Sequence, residues 1–230
     1  MSFDWALISE TLPLLAQGTL VTLQLSAITA LAALAGGAVL ASFCASRARP
    51  LRLMAQIFIG AMRGIPPLVL VLIAFYVLPA LGLLLDPMTA GVVALASYFS
   101  AYVAVALGSA IAAIPAGQTE AALVIGMTPR LRLVRVILPQ ALPIVLPVLC
   151  GLLIGLIKET ALLSVISVGE LTFATKQAVS RTYAPFEVYM TAAMFYWAIS
   201  AALEAAARAL EHRTTRFRRN IASSPKGRLS

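Results

Sequence analysis

The chain has few charged residues, one histidine and only two aspartates. Charged residues make up 11% of its 230 residues and hydrophobic ones 61%, whereas soluble chains average about 25% charged residues. The single histidine is His212, and neither aspartate, Asp4 or Asp86, is central in an apolar segment. Neither a Ser-His nor a paired-Asp site can therefore be assembled. These absences exclude a soluble domain and an intramembrane protease, and they predict a non-catalytic integral membrane protein.

Signatures of nucleotide binding, metal binding and stand-alone transport are also missing. No G-x-x-x-x-G-K-[ST] phosphate loop occurs. Cys44 and Cys150 lie in or beside apolar segments without the spacing of metal ligands. Secondary carriers show inverted repeats and more spans than this chain offers. We therefore expect the chain to bind no nucleotide and no metal, and to need other subunits for transport.

The net charge of +8 does not indicate a nucleic-acid partner. Basic residues are concentrated in loops beside apolar segments and in the tail from Arg208 to Arg228, which is the distribution of membrane topology determinants. The basic tail can also contact anionic lipid. We expect membrane lipid as a partner and no nucleic acid.

Five apolar segments reach the length of about 20 residues that a bilayer span needs. Their bounds are roughly 18–44, 54–79, 88–113, 138–157 and 186–208. Backbone polar groups in lipid must be satisfied within each segment, so each is expected to be helical. No basic residue precedes Arg47, unlike in a cleaved signal peptide, and we expect the first segment to remain in the membrane. The sequence predicts an all-α protein with five transmembrane helices.

The distribution of Lys and Arg sets the predicted orientation. The first and third connections and the C-terminal end are basic, whereas the second connection, around Leu78 to Met88, has no basic residue. The N-terminus is therefore predicted outside and the C-terminus in the cytoplasm. Residues 1–217 form the predicted transmembrane domain and 218–230 a basic cytoplasmic tail. On the outer side, the connection 158–185 is expected to be partly re-entrant or surface-lying.

The connection 120–139, EAALVIGMTPRLRLVRVILP, predicts a short helix, a glycine stop and a second short helix on the cytoplasmic side. Gly126 suits the left-handed position just past a helix end. Thr128 is a good N-cap, and Pro129 suits the first helical position because its missing N–H costs nothing there. Ala121 and Ala122 keep one flank of the first helix slim, so that another protein can approach its backbone. This pattern is typical of a docking element for a soluble partner.

The same residues resemble the EAA loop of ABC importer permeases, which reads Glu-Ala-Ala, three residues, Gly, nine residues and Ile-x-Leu-Pro. Only the Ile is changed, to Val136. In that family the loop enters a groove on the cytoplasmic ATPase subunit, and the residues 120–139 are called the EAA loop below. The resemblance implies that the following residues couple the chain to the ATPase: Glu120, Ala121, Ala122, Gly126, Thr128, Pro129 and Arg130.

Further runs resemble the polar amino acid branch of that family, and together they cover about residues 18–210. They are Arg63-Gly64-Ile65-Pro66, Leu85-Asp86-Pro87, Ser100-Ala101-Tyr102, Pro115-Ala116-Gly117-Gln118, Lys158-Glu159-Thr160-Ala161-Leu162 and Ser164-Val165-Ile166. The resemblance implies a type I ABC importer permease in a bacterial inner membrane. It also implies ATPase subunits that use ATP and Mg²⁺, a second identical or similar permease, and an extracytoplasmic solute-binding protein. The expected cargo is a polar amino acid of the histidine, glutamine or arginine type; an osmolyte or an opine is the alternative.

Arg63 is the first candidate for the substrate path. It lies about ten residues inside the second apolar segment and is followed by Gly64, Pro66 and Pro67. A charge at that depth costs several kcal/mol unless it is paired or hydrated, and the prolines break the helix there. The alternative is that the span starts later and Arg63 reaches the cytoplasmic interface along its own stem.

Polar residues on the third and fourth segments are further candidates. Tyr98, Ser100 and Tyr102 can form hydrogen bonds to a solute or serve only in helix packing. Lys158 and Glu159 form either an ion pair at an outer gate or a hydrated interfacial pair.

Two positions depart from the family pattern. Val105 and Gly108 occupy positions where the family usually has Glu and often Arg, so the carboxylate that would suit a cationic cargo is absent. Either the partner permease supplies the polar contacts, or the cargo is less charged.

The fourth segment carries helix-weakening residues at steps of four. They are Pro139, Pro143, Pro147, Gly151 and Gly155. Gly151 and Gly155 form a small-xxx-small pair that permits close helix approach. A bendable helix next to the EAA loop could pass ATPase movement to the substrate path; the alternative is that Pro and Gly are simply frequent in membrane helices.

Overall fold

The structure is a computed structural model that describes the backbone of residues 5–222 and the side chains of residues 7–210. All regular structure in this range is helical. The helices are α1 (Trp5–Cys44), α2 (Arg49–Gly64), α3 (Pro67–Leu81), α4 (Pro87–Ala112), α5 (Ala116–Val124), α6 (Pro129–Ile166), α7 (Leu171–Thr182) and α8 (Pro185–Ala222). Within α3 and α6 the winding changes locally: α3 ends in a π turn (Ile73–Val77) and a 3₁₀ turn (Leu78–Leu81), and α6 contains a π turn (Leu133–Ile137) and ends in a 3₁₀ turn (Thr160–Ile166).

Within the described residues, four helices are long and apolar enough to cross a membrane, and a bent pair raises the number to five. The prediction of 88–113 is confirmed by α4. The predicted segments 18–44, 138–157 and 186–208 lie inside α1, α6 and α8, and these helices extend beyond them. Hydropathy marks the part of a helix that suits lipid, whereas its hydrogen bonds continue until a cap ends them. Helix α8 passes residue 217, and residues 223–230 of the predicted tail lie outside the described range.

The second predicted span is not one straight helix. It divides into α2 and α3, which meet at an angle of 108°. Between them Ile65 is extended, with φ −101° and ψ 133°, because a residue that precedes proline is disfavoured in the α region. The break expected from Pro66 and Pro67 is therefore confirmed, and the continuous span 54–79 is wrong.

The second helix of the EAA loop was expected to be short, but it continues directly into the fourth span as α6. Pro139 does not end it, although a proline clashes with the carbonyl four residues earlier. A π turn from Leu133 to Ile137 lies just before it, and the N–H of Leu138 bonds to the carbonyl of Leu133. This wider turn makes room for the proline ring, so the loop and the span form one element.

The connection after the fourth span packs against the rest of the protein, and its placement as re-entrant or surface-lying stays a prediction. The chain turns at Ser167, with φ +64°, and enters α7. Leu163, Glu170 and Leu171 are fully buried, since α7 packs against α1 and α8. Its apolar run fills the protein core.

Helices approach each other closely at Gly18 and Gly37 of α1, and not at the predicted pair Gly151 and Gly155. A Cβ at Gly37 of α1 would come within 2.4 Å of Val103 of α4, and a Cβ at Gly18 within 2.7 Å of Ala174 of α7. Gly151 and Gly155 have no such neighbour within 4 Å. Only glycine fits where α1 meets α4 and α7, and the small-xxx-small pair of α6 makes no close approach to any described residue of another helix.

Candidate functional site

The EAA loop is stopped by a left-handed glycine. Helix α5 ends at Val124, and Gly126, two residues later, has φ +76°. The N–H of Gly126 donates to the carbonyl of Leu123 at 2.9 Å, and the N–H of Met127 donates to that of Ala122 at 3.0 Å. These two bonds form a Schellman motif, which satisfies the last carbonyls of the helix. The predicted glycine stop is confirmed.

Helix α6 starts three residues after this stop. The Thr128 hydroxyl accepts a hydrogen bond from the N–H of Leu131 at 3.4 Å, and Pro129 occupies the first helical position. Gln140 of α6 donates to the side-chain carbonyl of Gln118 in α5 at 3.3 Å. The capped end of α5, the capped start of α6 and the hydrogen bond between Gln140 and Gln118 therefore fix the turn between the two helices.

The surface of the loop is apolar at its tip. Leu123, Val124 and Ile125 are 55%, 87% and 70% exposed. Glu120, Ala121 and Arg130 are also exposed, but Ala122 is buried in the chain's own fold. Only Ala121 of the alanine pair therefore presents the slim flank expected for a partner. Exposed apolar patches next to charged residues mark interaction sites.

The bend between α2 and α3 brings Arg63 to the tyrosines of α4. The guanidinium carbon of Arg63 lies 5.4 Å from the ring centroid of Tyr102. The hydroxyls of Tyr98 and Tyr102, one helical turn apart, lie 3.1 Å from each other. Glu159 of α6 is close enough to act electrostatically on Tyr98. The structure thus brings three of the predicted path residues, Arg63, Tyr98 and Tyr102, into one polar cluster, on which Glu159 acts electrostatically.

The other predicted path residues lie elsewhere. Ser100 is buried, and its hydroxyl donates to the carbonyl of Ser97 at 2.8 Å; its Cβ faces Gly36 of α1. Lys158 is exposed and forms no salt bridge to Glu159 among the described side chains, since adjacent helical residues point about 100° apart. Gly64, Pro66 and Pro67 form the bend itself.

A cavity of about 360 Å³ between α4 and α6 lies next to the polar cluster. Its lining includes Tyr102, Val105, Ser109, Ile144 and Val148. No lining residue carries a charge, and Gly108 beside it faces open space. Tyr102 belongs both to this lining and to the polar cluster.

Sequence reasoning missed the buried carboxylate of Glu170, which caps α7. It accepts hydrogen bonds from the N–H of Thr172 at 2.9 Å, the N–H of Phe173 at 2.7 Å and the hydroxyl of Tyr196 at 2.9 Å. Burial raises the pKa of Glu170, and these donors act in the opposite direction. An acidic residue at the start of a helix, directly after an apolar run, was the available signal.

Among the described residues, no group of three or more His, Cys, Asp and Glu could hold a metal ion.

Comparison with known proteins defines the class. The sequence profile of the binding-protein-dependent transport system inner membrane components matches residues 33–216. The chain belongs to this family and is therefore a multi-pass component of an inner membrane transport system.

Two relatives match nearly the whole chain. The L-cystine transport system permease protein TcyB of Bacillus subtilis (strain 168) is 34% identical over 218 residues, which cover 94% of this chain and 93% of that protein. The glutamine transport system permease protein GlnP of Escherichia coli (strain K12) is 35% identical over 220 residues, which cover 93% of this chain and 98% of that protein.

Solved structures share the fold. A crystal structure of an amino acid ABC transporter with histidines superposes with a TM-score of 0.87 at 34% identity, covering 93% of this chain and 100% of that one. An inward-facing structure of the MetNI methionine ABC transporter superposes with a TM-score of 0.75 at 20% identity, covering 89% of this chain and 97% of that one. The chain has the type I ABC importer permease fold, as the sequence predicts.

Proposed function

We propose that this chain is the permease subunit of an ATP-driven importer for polar amino acids. Separate ATPase subunits hold its EAA loop and use ATP with Mg²⁺, a second permease completes the path, and an extracytoplasmic protein delivers the cargo. The observation that carries the proposal is the loop itself: it is capped at both helix ends, is continuous with a membrane helix, and exposes an apolar tip. The names of the relatives support an amino acid cargo.

The coupling residues have different tasks in this proposal. Gly126, Thr128 and Pro129 fix the turn, and Ala122 packs it against the rest of the chain. Glu120, Ala121 and Arg130 contact the ATPase together with the apolar tip. Burial of such a tip against a partner stabilises the contact by about 25 cal/mol per Å² of apolar surface.

Docking is tested by placing a charge on the tip. We expect Val124→Glu to abolish co-purification of the ATPase subunits and ATP-dependent uptake, because the carboxylate would be buried in the contact. Leu84→Glu is the matched control, since Leu84 is as exposed, 85% against 87%, and lies at the opposite end of α4. Retained ATPase binding in Val124→Glu, or equal loss in both variants, contradicts the docking role.

The substrate path follows the polar cluster and the adjoining cavity. Arg63 at the bend offers a cation for a carboxylate, and the Tyr98–Tyr102 pair with Glu159 offers partners for an ammonium group. The cavity beside Tyr102 is uncharged, so its space suits an uncharged side chain. A zwitterionic amino acid meets both conditions, whereas a cationic side chain would lose its solvation without compensation.

Cargo selectivity is tested at Val105, which lines the cavity. We expect Val105→Glu to lower glutamine uptake and to raise the ratio of arginine to glutamine uptake about tenfold or more, since a buried charge pair contributes several kcal/mol to discrimination. Val105→Gln controls for size without charge. Unchanged selectivity in Val105→Glu rejects this path, and uptake of an osmolyte or an opine instead of amino acids by the wild type would favour the alternative cargo.

A further inference from the structure

An open groove lies beside the part of α4 that carries Ala96, Ser97 and Ser100. It has a volume of about 370 Å³ and runs between α1, α2 and α4. Ala32, Gly36, Val39 and Leu40 of α1 line it, opposite Ala96 of α4, and Phe58 of α2 closes one side. Two serines also lie in its wall, and the hydroxyl of Ser100 is bonded within α4, since it donates to the backbone carbonyl of Ser97. The groove follows α1 for about 12 Å, from residue 32 to residue 40.

The end of the groove at Leu40 points to a basic turn. Helix α1 ends four residues later, and Leu40 packs beside Ile59 of α2. The turn and the start of α2 carry Arg47, Arg49 and Arg52. No Asp or Glu occurs between Glu10 and Asp86, and none of these arginines forms a salt bridge with a described side chain.

Helix α2 also exposes apolar residues next to this basic end. Leu53, Met54 and Ile57 are 58%, 67% and 63% exposed. A helix that exposes apolar residues beside basic ones can contact both the acyl chains and the headgroup of a lipid. An apolar groove that leads to unpaired arginines is complementary to a molecule with an apolar chain and an anionic head.

We propose that the groove between α1, α2 and α4 binds one anionic phospholipid, with an acyl chain along Ala32 to Leu40 and its phosphate at Arg47, Arg49 and Arg52. Guanidinium groups bind phosphate oxygens through paired N–H donors. A second copy of this chain is a poor occupant in a symmetric contact, since it would bring the same arginines to the same turn.

The test measures lipid binding to the purified importer complex, so it does not depend on cargo or transport. The complex is delipidated in detergent and titrated with phosphatidylglycerol or phosphatidylcholine of the same acyl chains, and native mass spectrometry counts the lipids bound. We expect phosphatidylglycerol to bind more tightly. Replacing the three arginines by Gln should weaken it about tenfold or more, since each basic residue near an anionic headgroup contributes roughly fivefold. The three Lys replacements should retain most of the preference.

The groove itself is tested by Ala32→Trp, which fills the acyl-chain site and should weaken binding of both lipids. Ala38→Trp is the matched control, because Ala38 is exposed and lies about 240° around α1 from Ala32. Equal affinity for the two lipids in the wild type, or undiminished phosphatidylglycerol binding in Ala32→Trp, overturns the proposal. Dissociation of a subunit in Ala32→Trp also overturns it, since the groove would then hold a protein chain.

Discussion

At the scale of single residues, Gly117 in α5 and Gly126 just after this helix should respond in opposite ways to replacement by Ala. Gly126 has φ +76°, where a side chain is strained, whereas Gly117 lies in the first turn of α5 without a positive φ and with open space around it. A side chain in the left-handed region costs about 1–2 kcal/mol. Gly in a helix is itself destabilising relative to Ala, by roughly 0.5–1 kcal/mol in the interior and by less in the first turn, where Gly117 lies.

We therefore expect Gly126→Ala to destabilise the EAA loop and Gly117→Ala to stabilise it. The measurement is amide hydrogen exchange of residues 117–127 in the purified complex, which reports local opening. Exchange should be about 5- to 30-fold faster in Gly126→Ala, by conversion of the strain energy, and slower in Gly117→Ala. Shifts of the same sign in both variants would show that φ at residue 126 does not determine the stability of the loop.

Glu170 gives the second residue-scale prediction, because burial raises its pKa above the ordinary value of 4.5. The folded state then binds the proton more readily than the unfolded state, so its stability falls as the pH rises through the raised pKa. Glu170→Gln carries no titrating group and should lose this pH dependence. Thermal inactivation of the complex between pH 4.5 and pH 8 measures it, and parallel profiles for wild type and variant would contradict the prediction.

Glu170→Ala separates hydrogen bonding from charge. It removes the acceptor for Thr172, Phe173 and Tyr196 together, and leaving buried donors unpaired costs about 1–3 kcal/mol. We expect this variant to be less stable than Glu170→Gln, which keeps one acceptor oxygen, at every pH of the series.

At the scale of elements, the continuity of α6 is the feature that local patterns did not predict. The stop at Gly126 and the start at Thr128 and Pro129 were predictable, since caps depend on a few adjacent residues. The passage through Pro139 depends on a π turn, and the close packing at Gly18 and Gly37 depends on which helices meet in space. Glu170 was missed for the same reason: its burial is created by α1 and α8, which are distant in sequence.

Because the EAA loop and the fourth span share the helix α6, Pro143 and Pro147 lie between the loop and Glu159 within one element. Each removes one helical hydrogen bond and allows bending. If bending transmits the movement, Pro143→Ala and Pro147→Ala should stiffen α6 and lower uptake per ATP hydrolysed by roughly 5-fold or more, the range of ordinary coupling energies. Uptake and ATP hydrolysis are measured together in proteoliposomes.

Pro13→Ala is the control for these variants, because Pro13 also lies inside a membrane helix, α1, but far from the EAA loop. It should leave the ratio of uptake to hydrolysis unchanged. An unchanged ratio in the α6 variants would mean that their prolines have no part in coupling.

At the scale of the whole molecule, the two ends of α4 decide whether an ATPase can reach its docking site. Leu84 precedes α4 and Val124 follows it in the EAA loop, and the two are 85% and 87% exposed. The positive charges near the EAA loop and their absence around Leu84 predict that Val124 faces the cytoplasm and Leu84 the outside. Because a helix of 26 residues separates the two connections and spans about 39 Å, they cannot lie on the same side if α4 crosses the membrane.

We expect single cysteines at these positions to react from opposite sides, in a chain whose Cys44 and Cys150 are replaced by Ala. A membrane-impermeant maleimide should label Leu84→Cys in cells with an intact inner membrane and Val124→Cys only after that membrane is opened. Each cysteine variant is first assayed for uptake, without maleimide, to confirm that it assembles into a working importer. Labelling of Val124→Cys in intact cells would place the apolar tip beyond the reach of any subunit that hydrolyses cytoplasmic ATP, and the coupling mechanism would fail whatever the cargo.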